Sequence, residues 1–260
     1  MTSPSHAAAP PVRIPLLDRG FRPFFLGAGF WAALAILLWT SSLRGWVVLP
    51  TAFAPIDWHI HAMLFGFLGA ALGGFLTTAV PNWTGRPALR GGPLAALALL
   101  WLAGRAACLT SGAIGAVPAA AVDVGFFVVL AGLVLREVVA ARNWRNLFVV
   151  LGIAGVAVAN LLAHLGPIAG FDTGFGNRLG VGAFAMLIVL IGGRIVPAFT
   201  RNWLKQAGGT RVPPMWGRFD SAAALVTLAA VVVWASAPQS AVAGGLAVGA
   251  GALNVARLAR

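Results

Sequence analysis

Apolar residues run through this chain in long blocks, separated by short polar stretches rich in Arg, Pro and Gly. Seven blocks are clear, near residues 24–43, 58–80, 94–111, 114–135, 145–165, 179–199 and 220–236, and an eighth, near 241–257, is marginal. Each approaches the ~20 residues that span a bilayer core of roughly 30 Å. No period-two alternation accompanies them, which argues against a transmembrane barrel. In lipid every backbone polar group must be satisfied within the chain, so blocks of this kind predict helices. The expected fold is therefore all-α: a polytopic transmembrane bundle of about eight spans. A polar tail covers residues 1–20, and a single helical domain covers 21–260. Pro and Gly clusters mark the expected turns, at Pro81 to Gly85, Gly91 to Pro93, Gly166-Pro167 and Pro213-Pro214.

Composition supports the membrane reading. Hydrophobic residues make up 60% of the 260 positions and charged residues 9%. The mean hydropathy is +0.90. The net charge of +12 would suggest nucleic acid in a soluble protein. Here the basic residues lie mainly in short loops, where they report topology, and no nucleic-acid role is expected. Arg13, Arg19, Arg22, Arg86, Arg90, Arg136, Arg142, Arg145, Arg201, Lys205, Arg211, Arg218, Arg257 and Arg260 fall on one side of the eight-span scheme. Only Arg44 and Arg178 fall on the other, while Arg105 and Arg194 lie within spans. The positive-inside rule then sets the N-terminus in the cytoplasm. The first block lacks a small-x-small cleavage site and is expected to be retained as a helix.

Candidate chemistry gathers at the outer side. The second span opens there with Trp58-His-Ile-His-Ala-Met-Leu-Phe-Gly66, and the fifth closes there with Asn160-Leu-Leu-Ala-His164. His59, His61 and His164 thus converge on one membrane face, and neutral imidazole is a common ligand for metal ions and haem iron. His59 and His61 are two positions apart, roughly 200° around a regular helix, so they do not point at one metal from an ideal helix. Either the helix starts at His61 or the two rings serve different sites. His6, in the N-terminal tail, is not expected to take part. Arg105, Asp123 and Arg194 are intramembrane charges, which default to functional positions facing the protein interior. Arg105 belongs toward the outer half, where it would suit a haem propionate. Asp123 belongs near mid-membrane, and Arg194 in the inner third, with Pro197 expected to break its helix just beyond. Cys108 is the only cysteine. It excludes an internal disulfide and suggests no cysteine-based metal cluster. Gly66, Gly69, Gly73 and Gly74 read as helix-packing positions.

Several stretches together resemble the NnrS family of bacterial membrane proteins. They are Phe21-Arg-Pro-Phe-Phe25, the Trp58–Gly66 motif, Thr78-Ala-Val-Pro-Asn-Trp-Thr-Gly85, Leu100-Trp-Leu-Ala-Gly-Arg105, Ala121-Val-Asp123, Asn160-Leu-Leu-Ala-His164 and Ile191-Gly-Gly-Arg-Ile-Val-Pro-Ala-Phe-Thr200, followed by Asn202-Trp203. The resemblance implies a multi-pass protein of the bacterial inner membrane that contains haem and copper and serves the response to nitric oxide. No reaction is firmly assigned to the family. Carried over by position, His59, His61 and His164 are the candidate metal or haem ligands, and Arg105 and Arg194 the matching intramembrane arginines. Two departures stand out. Ala62 occupies a position where the family usually has an acid, and family members continue through further helices that carry additional histidines. The resemblance therefore implies a partner subunit or additional C-terminal helices beside the lipid bilayer itself. Two rival readings remain open: a transporter or channel lined by the intramembrane Arg and Asp, and a non-catalytic scaffold for another metalloprotein.

Overall fold

The computed structural model describes residues 14–209 and 212–259. His6, Arg13, Arg211, Arg260 and most of the 1–20 tail lie outside the described residues. Within them the chain is helical, and eight helices are long and apolar enough to cross a membrane. They are α1 (Phe21–Leu43), α2 (Pro55–Thr84), α3 (Gly91–Leu109), α4 (Ala116–Ala140), α5 (Leu147–Ala169), α6 (Thr173–Gln206), α7 (Arg218–Ser236) and α8 (Ala241–Leu258). The apolar blocks become these eight helices, including the marginal last one.

Neighbours in sequence pack as neighbours in space: α3 on α4, α4 on α5, α5 on α6, α6 on α7 and α7 on α8. The long α2 is the exception. It runs through the middle, touching α1, α3, α4 and α6, and is the most enclosed helix, whereas α8 is the least. Small residues permit this. A Cβ on Gly69 would strike the Phe127 ring, and one on Gly73 would meet Phe24 and Phe126. Close approach of this kind drives helix association in lipid, where no hydrophobic force acts between helices.

Three helices differ from the turns that the prolines suggest. Pro81 and Pro167 sit inside the last turns of α2 and α5, which end instead on left-handed Gly85 (φ 69°) and Gly170 (φ 73°). Pro197 does not break α6, which continues to Gln206 for 34 residues. That length, about 51 Å, exceeds the bilayer core of roughly 30 Å, so part of α6 lies outside it.

α2 carries a second irregularity. Pro55–His61 is α-helical, Ala62–Phe67 forms a π-helical turn, and α-helix resumes at Leu68. A π-turn widens the helix and weakens its ladder of backbone bonds. Two indoles serve the carbonyls there: Trp31 Nε1 donates to Ala62 O at 2.9 Å, and Trp101 Nε1 donates to Gly66 O at 3.0 Å. Both tryptophans are buried.

Candidate metal centre

The outer ends of α2, α3, α4 and α5 meet around Asp123. This carboxylate sits seven residues into α4, about 10 Å from its outer end, and is fully buried. It lies at the level of the histidines, higher than mid-membrane. Its Oδ2 is 3.1 Å from His61 Nε2 and 3.0 Å from His164 Nε2, and it accepts a hydrogen bond from Asn160 Nδ2 at 3.0 Å. Its Oδ1 pairs with the guanidinium of Arg105. His61, His164 and Arg105 are each at most 1% exposed.

The hydrogen bonds fix the tautomers. A carboxylate only accepts, so the Asn160 amide nitrogen faces Asp123. Its carbonyl Oδ1 then faces His61 Nε2, 2.9 Å away, and that nitrogen must donate. His164 Nε2, facing the carboxylate, donates for the same reason. In neutral His164 this leaves the Nδ1 lone pair, which is buried and has no hydrogen-bond partner.

Cys108 completes the group. His61, Cys108, Asp123 and His164 each place one ligand atom within 4.8 Å of all the others, and all four are buried. The outer loops hold this arrangement shut. Thr51 Oγ1 and Ser111 Oγ both donate to the Cys108 carbonyl, at 2.8 and 2.9 Å, and Ala52 N donates to Ser111 Oγ. These bonds seat Phe53 as a roof, with its ring centroid 4.9 Å from that of His61 and 5.3 Å from that of His164. The two imidazole centroids are 4.8 Å apart. Below, Gly104 abuts Asp123 so closely that a Cβ would lie 3.0 Å from Oδ1 and 3.1 Å from its Cα. Gly176 of α6 rests on the α5 backbone beneath His164, where a Cβ would come within 2.9 Å of the Leu162 carbonyl carbon.

Of the sequence candidates, the structure thus brings together His61, His164 and Arg105. His59 faces elsewhere: its half-buried ring stacks on Trp39, with centroids 3.9 Å apart, and its Nδ1 has no hydrogen-bond partner. Both histidines lie inside α2, so the different facings follow from their spacing rather than from a late helix start. Arg194 lies at the inner end. Its guanidinium donates to Asn146 Oδ1 and Arg145 O, both at 3.1 Å, and lies over Trp216. Sequence reasoning gave no site role to Cys108, Asn160 or Phe53. Helical spacing held a signal for two of them: Cys108 is three residues after Arg105, and Asn160 four before His164, each pair sharing a helix face.

A buried His–His–Asp–Cys cluster at one end of a bundle with eight membrane-length helices among the described residues defines a polytopic membrane protein with a candidate metal centre. The family model described as NnrS protein matches residues 15–260. The chain belongs to the NnrS family. Neither the curated proteins nor the solved structures gave a match to it.

Proposed function

We propose that this chain is a copper- and haem-binding protein of the bacterial inner membrane that serves the response to nitric oxide. The link to nitric oxide and the membrane assignment rest on the family. The observation that carries the metal reading is the convergence of His61, His164 and Cys108 on the paired Asp123–Arg105.

Charge selects the ion. Asp123 and Arg105 cancel, and a metal-bound cysteine gives up its proton. A monovalent ion then leaves the buried cluster neutral, whereas a divalent one leaves it a net unit positive. Net charge is costly away from water. Thiolate and imidazole also suit copper(I). We therefore assign copper(I) to His61, His164 and Cys108. Asp123 remains on Arg105 and orients the imidazoles, as carboxylates behind ligating histidines do. The bound ion would supply a redox-active centre. The chain's own residues hold and orient the ligands, and Phe53 keeps water from them.

Haem does not fit this cluster. The rings of His61, His164 and Phe53 pack directly on one another, and no flat macrocycle passes between them. We assign the haem to His59, whose Nδ1 lies outside the cluster and has no hydrogen-bond partner. Arg105 pairs with Asp123 inside that cluster, buried with it.

Metal analysis of the detergent-purified chain tests this. Copper near one per chain is expected, with most of it lost in His61→Ala, His164→Ala and Cys108→Ser and retained in His59→Ala. Full copper in all four variants would remove the assignment. A scaffold reading draws on one observation, that Oδ2 of Asp123 already accepts hydrogen bonds from Asn160 and His164, with His61 Nε2 3.1 Å away. A folded sample without metal would favour it.

A further inference from the structure

A second chemistry-bearing group lies at the opposite end of the molecule, among the inner ends of α2 and α4 and the 85–93 turn. A cavity of about 350 Å³ opens there. Arg86, Arg90 and Arg136 line it together with one acid, Glu137, so its lining carries a net charge of +2. Glu137 holds two of the arginines in place. Its Oε2 pairs with Arg86, and its Oε1 accepts from Arg136 Nε at 2.9 Å. Each guanidinium has five N–H donors in a rigid plane, more than the carboxylate can use. Arg90 enters no ion pair among the described residues, and its backbone caps α3.

Apart from Thr77, the rest of the lining is apolar. Pro81 of α2, Leu89 of the turn and Leu133 of α4, all half-buried, form the walls, over the buried Leu76, Val80, Leu130 and Val134. Thr77 lies seven residues above the end of α2, so the groove runs about 10 Å from the charged rim toward the membrane interior. Cationic at the surface and apolar below, the cavity has the polarity of an anionic amphiphile in the inner leaflet. A free phosphate would leave the walls unmatched, and a zwitterionic lipid would add a cation beside three arginines.

We propose that this cavity binds one anionic glycerophospholipid. Its phosphate lies against Arg86, Arg90 and Arg136, and an acyl chain runs along Thr77, Pro81, Leu89 and Leu133. Basic pockets between transmembrane helices on the cytoplasmic side recognise anionic headgroups in this way. Glu137 acts as the positioning residue, spreading two guanidinium planes around the headgroup.

The test titrates the delipidated full-length chain in detergent with phosphatidylglycerol, phosphatidylcholine or inorganic phosphate, reading bound lipid by native mass spectrometry and the thermal midpoint. Phosphatidylglycerol is expected to bind one per chain and raise the midpoint, phosphatidylcholine to bind at least about tenfold more weakly, and millimolar phosphate to do neither. Arg90→Gln, which breaks no ion pair, should weaken phosphatidylglycerol about fivefold, and the triple Arg86→Gln, Arg90→Gln, Arg136→Gln variant considerably more. Equal binding of both lipids would reduce the cavity to an apolar groove. The same protection by phosphate alone would make it a free-anion site. Unchanged phosphatidylglycerol binding by the folded Arg90→Gln and triple variants would also overturn the proposal.

Discussion

Asp123 is the residue on which the outer site depends. Four side chains converge on one carboxylate with no exposed surface. Replacing it with Ala leaves Arg105 as an uncompensated buried charge, a change that costs about 3–5 kcal/mol when one partner of a buried pair is removed. Asp123→Ala should therefore lower the unfolding midpoint in detergent far more than the double change Arg105→Met, Asp123→Ala, which removes both charges. Equal loss in the two variants would mean that the ion pair contributes no such coupling. Asn160→Leu tests the orienting role. It removes an acceptor from His61 and a donor from Asp123, and copper affinity should fall by about 10–100-fold with the ligands themselves intact. At this scale the sequence was partly legible. The 200° between His59 and His61 left two readings open, a late helix start or separate sites, and the charge pattern put His164 on the same side. It did not show that Asp123 would link the histidines to Arg105, because that depends on how α4 rotates against α3 and α5. Cys108 was passed over because a cysteine cluster is sought among several cysteines, whereas here the other ligands are not cysteines.

Among the elements, α2 sets the geometry. Its π-turn at Ala62–Phe67 follows directly after His61 and offsets the remainder of the helix from the register an ideal α-helix would give. The indoles of Trp31 and Trp101 make that turn tolerable by donating to its carbonyls. Trp101→Phe keeps most of the apolar volume but strands the Gly66 carbonyl, a loss of about 1–3 kcal/mol for a buried acceptor. Thermal unfolding of this variant should show a clear drop, while Trp101→Phe as stable as the parent would mean that the π-turn needs no such donor. The contact of Gly176 with the α5 backbone suggests a second test. Gly176→Val should push α5 outward and lower copper content without touching a ligand, and unchanged copper would show that α6 does not position His164. The apolar blocks disclosed the eight spans because long apolar runs have few alternatives in lipid. They could not disclose the π-turn, which has no pattern of its own, nor the passage of α6 through Pro197. Helix-breaking prolines are tolerated where neighbouring helices compensate, and Pro81, Pro167 and Pro197 all sit within helices.

The whole molecule has two chemically different ends. The outer end gathers imidazole, carboxylate and thiol in a buried cluster beneath Phe53. The inner end carries most of the arginines, among them those of the lipid cavity and Arg194, which joins the start of α5 to Trp216 of the α6–α7 segment. With the N-terminus cytoplasmic, a cysteine introduced as Gln239→Cys in the α7–α8 turn should react with a membrane-impermeant maleimide from outside whole spheroplasts, and Arg142→Cys only after lysis. The reverse pattern would invert the molecule and place the metal cluster on the cytoplasmic side. The central claim is that His61, His164 and Cys108 form one metal centre. X-ray absorption at the copper edge of the purified chain addresses it most directly. The account predicts copper(I) bound by two imidazole nitrogens and one sulfur, with the sulfur contribution lost in Cys108→Ser. A folded chain that takes up no copper, or copper whose ligand shell contains no sulfur, would contradict it.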